Sequence, residues 1–324
     1  METKKIKLAF FGAPDFAADV LQDILEDKEI PIELCFVVTQ PDKPVGRKQI
    51  ITPTPVKEVA RVNKIPVLDS LQSPEIHEKL KQVDLVLLYA FGEIIPSQML
   101  KIPRWGFWNI HPSLLPLYKG PSPIAYPLLL EDKKTGVSLV LMDDRLDHGP
   151  LIGQEEYIIQ ETDTRDLLEN RLSKIGYKLF KKYIQILISG AFQKNEQNHS
   201  HATNTRLLTK QDGFVAYPIF QKIIKGEDLE KEDTPSIVGE FCTKYEAFLS
   251  PPRLSTMYYS LFRALSPWPG LWTKVSLSGS EKRLKITGMT LQNGKQQVTK
   301  VQLEGKKEVD LHTFRMAYAS FLNL

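Results

Sequence analysis

From Asp84 to His111 the chain reads DLVLLYAFGEIIPSQMLKIPRWGFWNIH. Its first seven residues are apolar after a single aspartate, as in a strand covered on both faces. IIPSQML reads as a short helix, and the run that begins at Trp105 reads as a second strand. Strand, helix and strand in that order build a parallel sheet. The same alternation precedes this unit. KIKLAFFG, PIELCFVVTQ and IPVLD are strand-like, while DFAADVLQDILED, TPVKEVARVNK and SPEIHEKLKQV are amphipathic. The sheet is expected to continue through TGVSLVLMD and GPLIGQEEYII. A long helix should follow, with Leu168, Leu172, Ile175, Leu179, Tyr183 and Leu187 at spacings of three and four.

After Gly190 this pattern ends. AFQKNEQNHSHATNTRLL is polar and aperiodic, as a linker would be. Beyond it the sequence is partly helical to about Leu265. Three strand-like pieces separated by turn residues then follow: LWTKVSLSG, RLKITGMTLQ and QQVTKVQLEG. They predict a small β-barrel or sandwich. The expected organisation is an α/β domain over 1–190, a linker over 191–207 and a strand-rich domain over 208–324. A chain of 324 residues is long enough for two domains.

Composition removes several classes. With 42% hydrophobic and 25% charged residues, the chain is neither disordered nor fibrous. No apolar run approaches the roughly 20 residues of a membrane span. The amino terminus lacks the small-residue cleavage site of a secretory signal. The two cysteines, Cys35 and Cys242, are expected to be reduced thiols of a cytoplasmic protein. Net charge is +3 but unevenly spread. From Ser250 onward there are 11 Lys and Arg against 4 Asp and Glu, so the tail is basic and the body slightly acidic. That asymmetry suits a polyanionic partner.

The first strand-to-helix turn, FFGAPDF, offers only Gly12 where a dinucleotide fingerprint needs three glycines, so no nicotinamide or flavin cofactor is expected. There is no Walker-type loop and no serine nucleophile elbow. Asp143, Asp144, Asp147 and His148 have no familiar ligand spacing, and no metal is expected. His199 and His201 sit in the polar segment and read as solvated. Asn109 and His111 are two residues apart on a strand and therefore share a face. That pair is either a satisfied core histidine with its amide neighbour or the start of a reactive site. Asp147 follows an apolar strand just before a glycine, where a loop can present a carboxylate.

The ordered set Asn109, His111, SLLP, Gly120 and LDHG resembles the enzymes that use 10-formyltetrahydrofolate as a one-carbon donor. The resemblance implies a Rossmann-like catalytic domain and Asn109, His111 and Asp147 as its active residues. It also implies a folate-binding loop at Ser113, Leu114, Leu115 and Pro116. The formyl donor would be the co-substrate, with no metal. Where the family commonly has LDTG or LDAG, this chain has LDHG, which puts His148 beside the site with no role implied.

Two further features resemble those members of the family that act on tRNA. VVTQPDKPVGRKQIITPTPVKEVA is similar to their insertion loop, which implies that Lys43, Arg47 and Lys48 meet the tRNA acceptor end. RALSPWPGLW and VQLEGKKEVDLHTF are similar to the two ends of their OB-like carboxy-terminal barrel, here shortened between them. In that barrel Arg263, Lys274, Arg283, Lys285, Lys306 and Lys307 would add basic charge. The implied activity is formyl transfer to the α-amino group of methionyl initiator tRNA, by a cytoplasmic monomer without membrane attachment. Two alternatives remain: formylation of an amino-sugar nucleotide, or a tRNA- or folate-binding module without turnover.

Overall fold

A computed structural model describes residues 5–46, 48–246, 252–277 and 279–322. The chain begins with β1 (Ile6–Gly12), α1 (Asp15–Glu26) and β2 (Ile32–Val38). A small hairpin of β3 (Lys43–Val45) and β4 (Ile50–Thr52) leads to α2 (Pro55–Val62). Then come β5 (Val67–Leu68), α3 (Ile76–Leu80), β6 (Leu85–Tyr89), α4 (Ser97–Leu100) and β7 (Phe107–His111). After α5 (Ala125–Leu129) follow β8 (Lys134–Leu141), β9 (Leu151–Ile158) and the long α6 (Arg165–Ile188).

Seven strands form one sheet in the order β5-β2-β1-β6-β7-β8-β9. β5, β2, β1, β6 and β7 pair in parallel, as their near-continuous apolar character predicts. β8 departs from the expected parallel sheet and runs antiparallel to β7, with Trp108 opposite Leu141 and His111 opposite Ser138. β8 is nearly as buried as its neighbours, and burial records coverage rather than direction. Strand order reverses between β1 and β6, so the crevice beyond their carboxyl ends is where an α/β sheet binds ligands. β7 delivers His111 to that edge.

The core is aromatic at its centre. Phe11 lies 5.4 Å from Phe91 and 5.5 Å from Phe107, ring to ring, with Phe36 at 6.5 Å. Helix α1 buries Ala17, Ala18, Val20, Leu21 and Ile24, a stripe at helical spacing. Asp23 and Asp27 on and after α1 pair with Lys174 and Lys181 of α6, at 2.8 and 2.6 Å.

The chain divides into two compact units. The first comprises Met1–Gly120, Thr135–Ile158 and Glu169–Asn204; the second comprises Pro121–Lys134, Ile159–Leu168 and Thr205–Leu324. The segment expected to be a linker over 191–207 is thus grouped with the sheet as far as Asn204. The reason is specific bonding: Asn195 pairs with Leu151 through both backbone groups, at 2.7 and 2.8 Å. The Thr203 carbonyl accepts from the Lys119 N–H at 2.9 Å.

The second unit carries α7 (Tyr217–Lys225), α8 (Ser236–Lys244) and α9 (Met257–Leu265). β10 (Leu271–Leu277), β11 (Ser280–Gln292), β12 (Lys295–Leu303), β13 (Val309–Asp310) and α10 (Leu311–Leu322) complete it. The small β domain expected here is an antiparallel sheet in the order β10-β11-β12-β13. Its buried face presents Leu271, Leu284, Ile286 and Val301, and α9 buries Met257, Leu261 and Leu265. Arg263, expected among the basic residues of the tail surface, is turned inward instead. It is 7% exposed and donates to the carbonyls of Gln160 and Asp163. Lys274 is paired with Glu281 at 2.7 Å. Among the described residues no helix is long and apolar enough to cross a membrane.

Candidate active site

β7 fixes Asn109 and His111 on one face, as their spacing requires, and both are buried at 9% and 4% exposure. The His111 Nε2 donates to the Tyr118 carbonyl at 3.1 Å. A carbonyl can only accept, so that nitrogen carries the proton and the other, Nδ1, faces Asp147. His111 Nδ1 lies 3.6 Å from Asp147 Oδ1, and Asn109 Nδ2 lies 3.5 Å from the same oxygen. The second carboxylate oxygen, Oδ2, accepts the Gly120 N–H at 2.8 Å. The three sequence-nominated residues are therefore brought together, although 36 or more positions separate Asp147 from the strand pair.

The loop that carries Asp147 is tightly determined. Asp147 has φ +48°, a left-handed conformation that aspartate tolerates better than most residues. Two residues on, Gly149 packs against the backbone of Leu141 so closely that any Cβ would overlap the Leu141 carbonyl. The glycine of LDHG is thus required by a close backbone approach. Gln197 completes the loop: its side-chain amide donates to the carbonyls of Asp147 at 3.0 Å and Gly149 at 2.7 Å. Gln197 is 6% exposed and its Oε1 has no hydrogen-bond partner among the described residues. Sequence reasoning missed it, because an isolated glutamine in a polar segment carries no periodic or motif signal.

SLLP is a built turn. The Ser138 hydroxyl accepts the Leu115 N–H at 3.0 Å and donates to the Ser113 carbonyl at 2.6 Å. Gln154 donates to the Leu115 carbonyl and to the Ser138 hydroxyl. Ser113 Oγ donates to the Leu117 carbonyl at 2.7 Å, and Leu115 is 3% exposed. Leu114 and Pro116 are half-buried, which leaves them as the members with surface to offer a ligand.

Beside the amino-terminal end of β7 lies a cavity of about 710 Å³. Leu100, Trp105, Leu141, Met142 and Phe192 supply apolar walls, Asp143 and Asp144 carboxylates, and Lys101, Arg104 and Lys194 cations. Among the described residues no group of three His, Cys, Asp or Glu is arranged to hold a metal. Asp143 is instead paired with His148 at 2.7 Å.

The hairpin β3–β4 contributes no residue to this cluster. Lys43 and Lys48 are exposed on it, together with Val45, Ile50 and Ile51 at 55%, 61% and 66%; Arg47 lies outside the described residues. Its base is fixed by Lys57, buried on α2 and bonded to Asp42 at 2.6 Å and Asp69 at 2.9 Å. Burial opposes that charge, but the two carboxylates prevail and hold Lys57 above the ordinary lysine range.

The sheet ends in an amide, an imidazole and a carboxylate within reach of one point, a candidate group-transfer site. The chain belongs to the formyl transferase family, whose model matches residues 4–184. A methionyl-tRNA formyltransferase of Bacillus cereus is 32% identical over 95% of each chain. Another from that species is 41% identical over 202 residues, which span 61% of this chain and 63% of that relative. Among solved structures, an N-formyltransferase of Helicobacter canadensis is similar with TM-score 0.56 and 23% identity over 89% and 88% of the chains. A 4-N formyltransferase of Francisella tularensis gives TM-score 0.58 at 15% identity over 85% and 95%. At those identities the likeness is one of fold.

Proposed function

We propose that the protein transfers a formyl group from 10-formyltetrahydrofolate to the α-amino group of methionyl initiator tRNA. The observation that carries the chemistry is the convergence of Asn109 Nδ2 and His111 Nδ1 on Asp147 Oδ1 at the open end of β7. Separations of 3.5 and 3.6 Å are loose for direct bonds, as in a site that tightens around its reactants. The acceptor choice is supported by the full-length relatives and by the exposed basic hairpin.

Formyl transfer between nitrogens needs a neutral amine and stabilisation of the oxygen that becomes negative when the carbonyl is attacked. An α-amino group has a pKa of about 8, lowered further by esterification, so a carboxylate at hand can take the remaining proton. Asp147 fills that role, with its Oδ2 held by Gly120 and its Oδ1 toward the strand pair. Asn109 Nδ2 donates to the developing oxyanion. His111, with Nε2 committed to Tyr118, donates from Nδ1 once that nitrogen is protonated, and the charged ring is attracted to Asp147. Collapse of the oxyanion breaks the bond between the formyl carbon and the folate nitrogen, that nitrogen takes the proton gained by Asp147, and tetrahydrofolate leaves without a covalent enzyme intermediate.

The folate donor is met by the SLLP loop that follows the carboxyl end of β7, where half-buried Leu114 and Pro116 offer apolar surface. Lys43, Arg47 and Lys48 meet the acceptor end of the tRNA. Purified protein given 10-formyltetrahydrofolate and either methionyl initiator tRNA or an amino-sugar nucleotide tests the reading: formylation of the tRNA alone is expected, and formylation of the sugar alone refutes it.

A further inference from the structure

His148 and His199 have no part in this chemistry, yet they form a close, nearly parallel ring pair. Their centroids are 3.9 Å apart and their planes differ by 14°. Three edge-on hydrogen bonds fix the pair. His148 Nδ1 donates to Asp143 Oδ2 at 2.7 Å, and its Nε2 accepts from Arg145 Nη1 at 3.3 Å. Lys119 Nζ donates to His199 Nδ1 at 3.1 Å. A carboxylate only accepts and a guanidinium or ammonium only donates, so these bonds define two neutral rings, protonated at Nδ1 in His148 and at Nε2 in His199. Desolvation by the groups packed against it, then the charge of Lys119, holds His199 below the ordinary imidazole range. Neutrality is what allows two imidazoles to stack; two charged rings would repel.

These bonds are all made at ring edges, which leaves ring faces for stacking. His199 is exposed, His148 half-buried beneath it, and Arg145 exposed alongside. His148, the lower ring of the platform, follows directly on Asp147 in the chain. A preorganised aromatic surface with a cation at its rim fits a planar base with a phosphate attached, because bases stack on histidine as on other aromatic side chains. In the proposed reaction the amine is esterified to the ribose of a terminal nucleotide, so a base must lie within one nucleotide of Asp147.

We infer that His199, backed by His148, receives the terminal base of the tRNA acceptor end, with Arg145 facing its phosphate. This rests on the acceptor proposed above. The test pairs a protein change with a substrate change: His199→Ala and His199→Phe, each assayed on methionyl-tRNA with an intact 3′-terminal adenosine and on the same tRNA ending in an abasic nucleotide. On intact tRNA, His199→Ala should raise KM roughly tenfold, the size of one base–aromatic stack, with kcat little changed. His199→Phe should stay within about threefold of wild type, since it keeps the ring. On the abasic tRNA the Ala variant should lose nothing further. Equal losses on both tRNAs, or a Phe variant as poor as Ala, would overturn the platform, and the Phe comparison holds even if the Ala variant folds badly. A wild-type protein that formylates no tRNA overturns the acceptor assignment itself, a separate and recognisable result.

Discussion

At the scale of single residues, Asp147 is held from three directions. Gly120 fixes one carboxylate oxygen, Asn109 and His111 approach the other, and Gln197 fixes the carbonyl behind it. Asp147→Asn should keep the fold and lose at least about a hundredfold in kcat, because it removes the proposed proton acceptor. His111→Ala should lose a similar factor, since one oxyanion donor is typically worth about 10²–10³. Steady-state rates beside a thermal melt check both, and near-normal turnover in either variant refutes the assigned roles. Gln197, bonded to the carbonyls of Asp147 and Gly149, is proposed as a positioning residue. Gln197→Ala should lower kcat roughly tenfold and leave KM for folate nearly unchanged, as expected when a carboxylate drifts by a fraction of an ångström. A matching rise in KM would mean that it holds the fold rather than the carboxylate.

At the scale of elements, α1 and α6 are tied by Asp27, which pairs with Lys181 and accepts from Tyr177. The Lys181 ammonium, then the Tyr177 hydroxyl, lower the Asp27 pKa from 3.8 to about 2. A lowered carboxylate pKa stabilises the fold fully above the unfolded value, and that stability is lost as pH falls from about 4 through about 2. Asp27→Asn should therefore flatten the loss of urea resistance across that window. An unchanged acid profile would mean that the pair contributes nothing. Phe11→Ala, at the aromatic centre, should cost about 3–5 kcal/mol in urea unfolding. Elements of this kind were legible in the sequence. The unbroken apolar run of β6, the apolar run of β1 after Lys7 and the stripe of α1 state their burial outright. The direction of β8 was not legible, because an apolar strand pairs either way. The ordering of 195–203 was not legible either: its bonds reach backbone groups tens of residues away and leave no pattern in the side chains. Arg263 shows the limit of counting charge, since its composition reads as surface and its guanidinium is spent on buried carbonyls. Asn109 and His111 could be nominated from a two-residue spacing, but their meeting with Asp147 depends on β8 returning beside β7.

At the scale of the whole molecule, the proposed reading pairs a formyl-transfer site with a polyanionic acceptor. Neutralising Lys43, Arg47 and Lys48 together should weaken tRNA binding and flatten its salt dependence, by a slope of roughly 0.7 to 0.9 for each phosphate no longer engaged. Folate affinity should not change, because the SLLP loop is built without the hairpin. Equal slopes for wild type and variant would leave the hairpin an ordinary surface. The most direct test of the central claim is an initial-rate assay of the wild-type protein with 10-formyltetrahydrofolate, offered methionyl initiator tRNA and an amino-sugar nucleotide in parallel. The expected product is formyl-methionyl-tRNA, abolished by Asp147→Asn, with no formylated sugar. Formylated sugar without formylated tRNA, or tRNA formylation that survives Asp147→Asn, would contradict it.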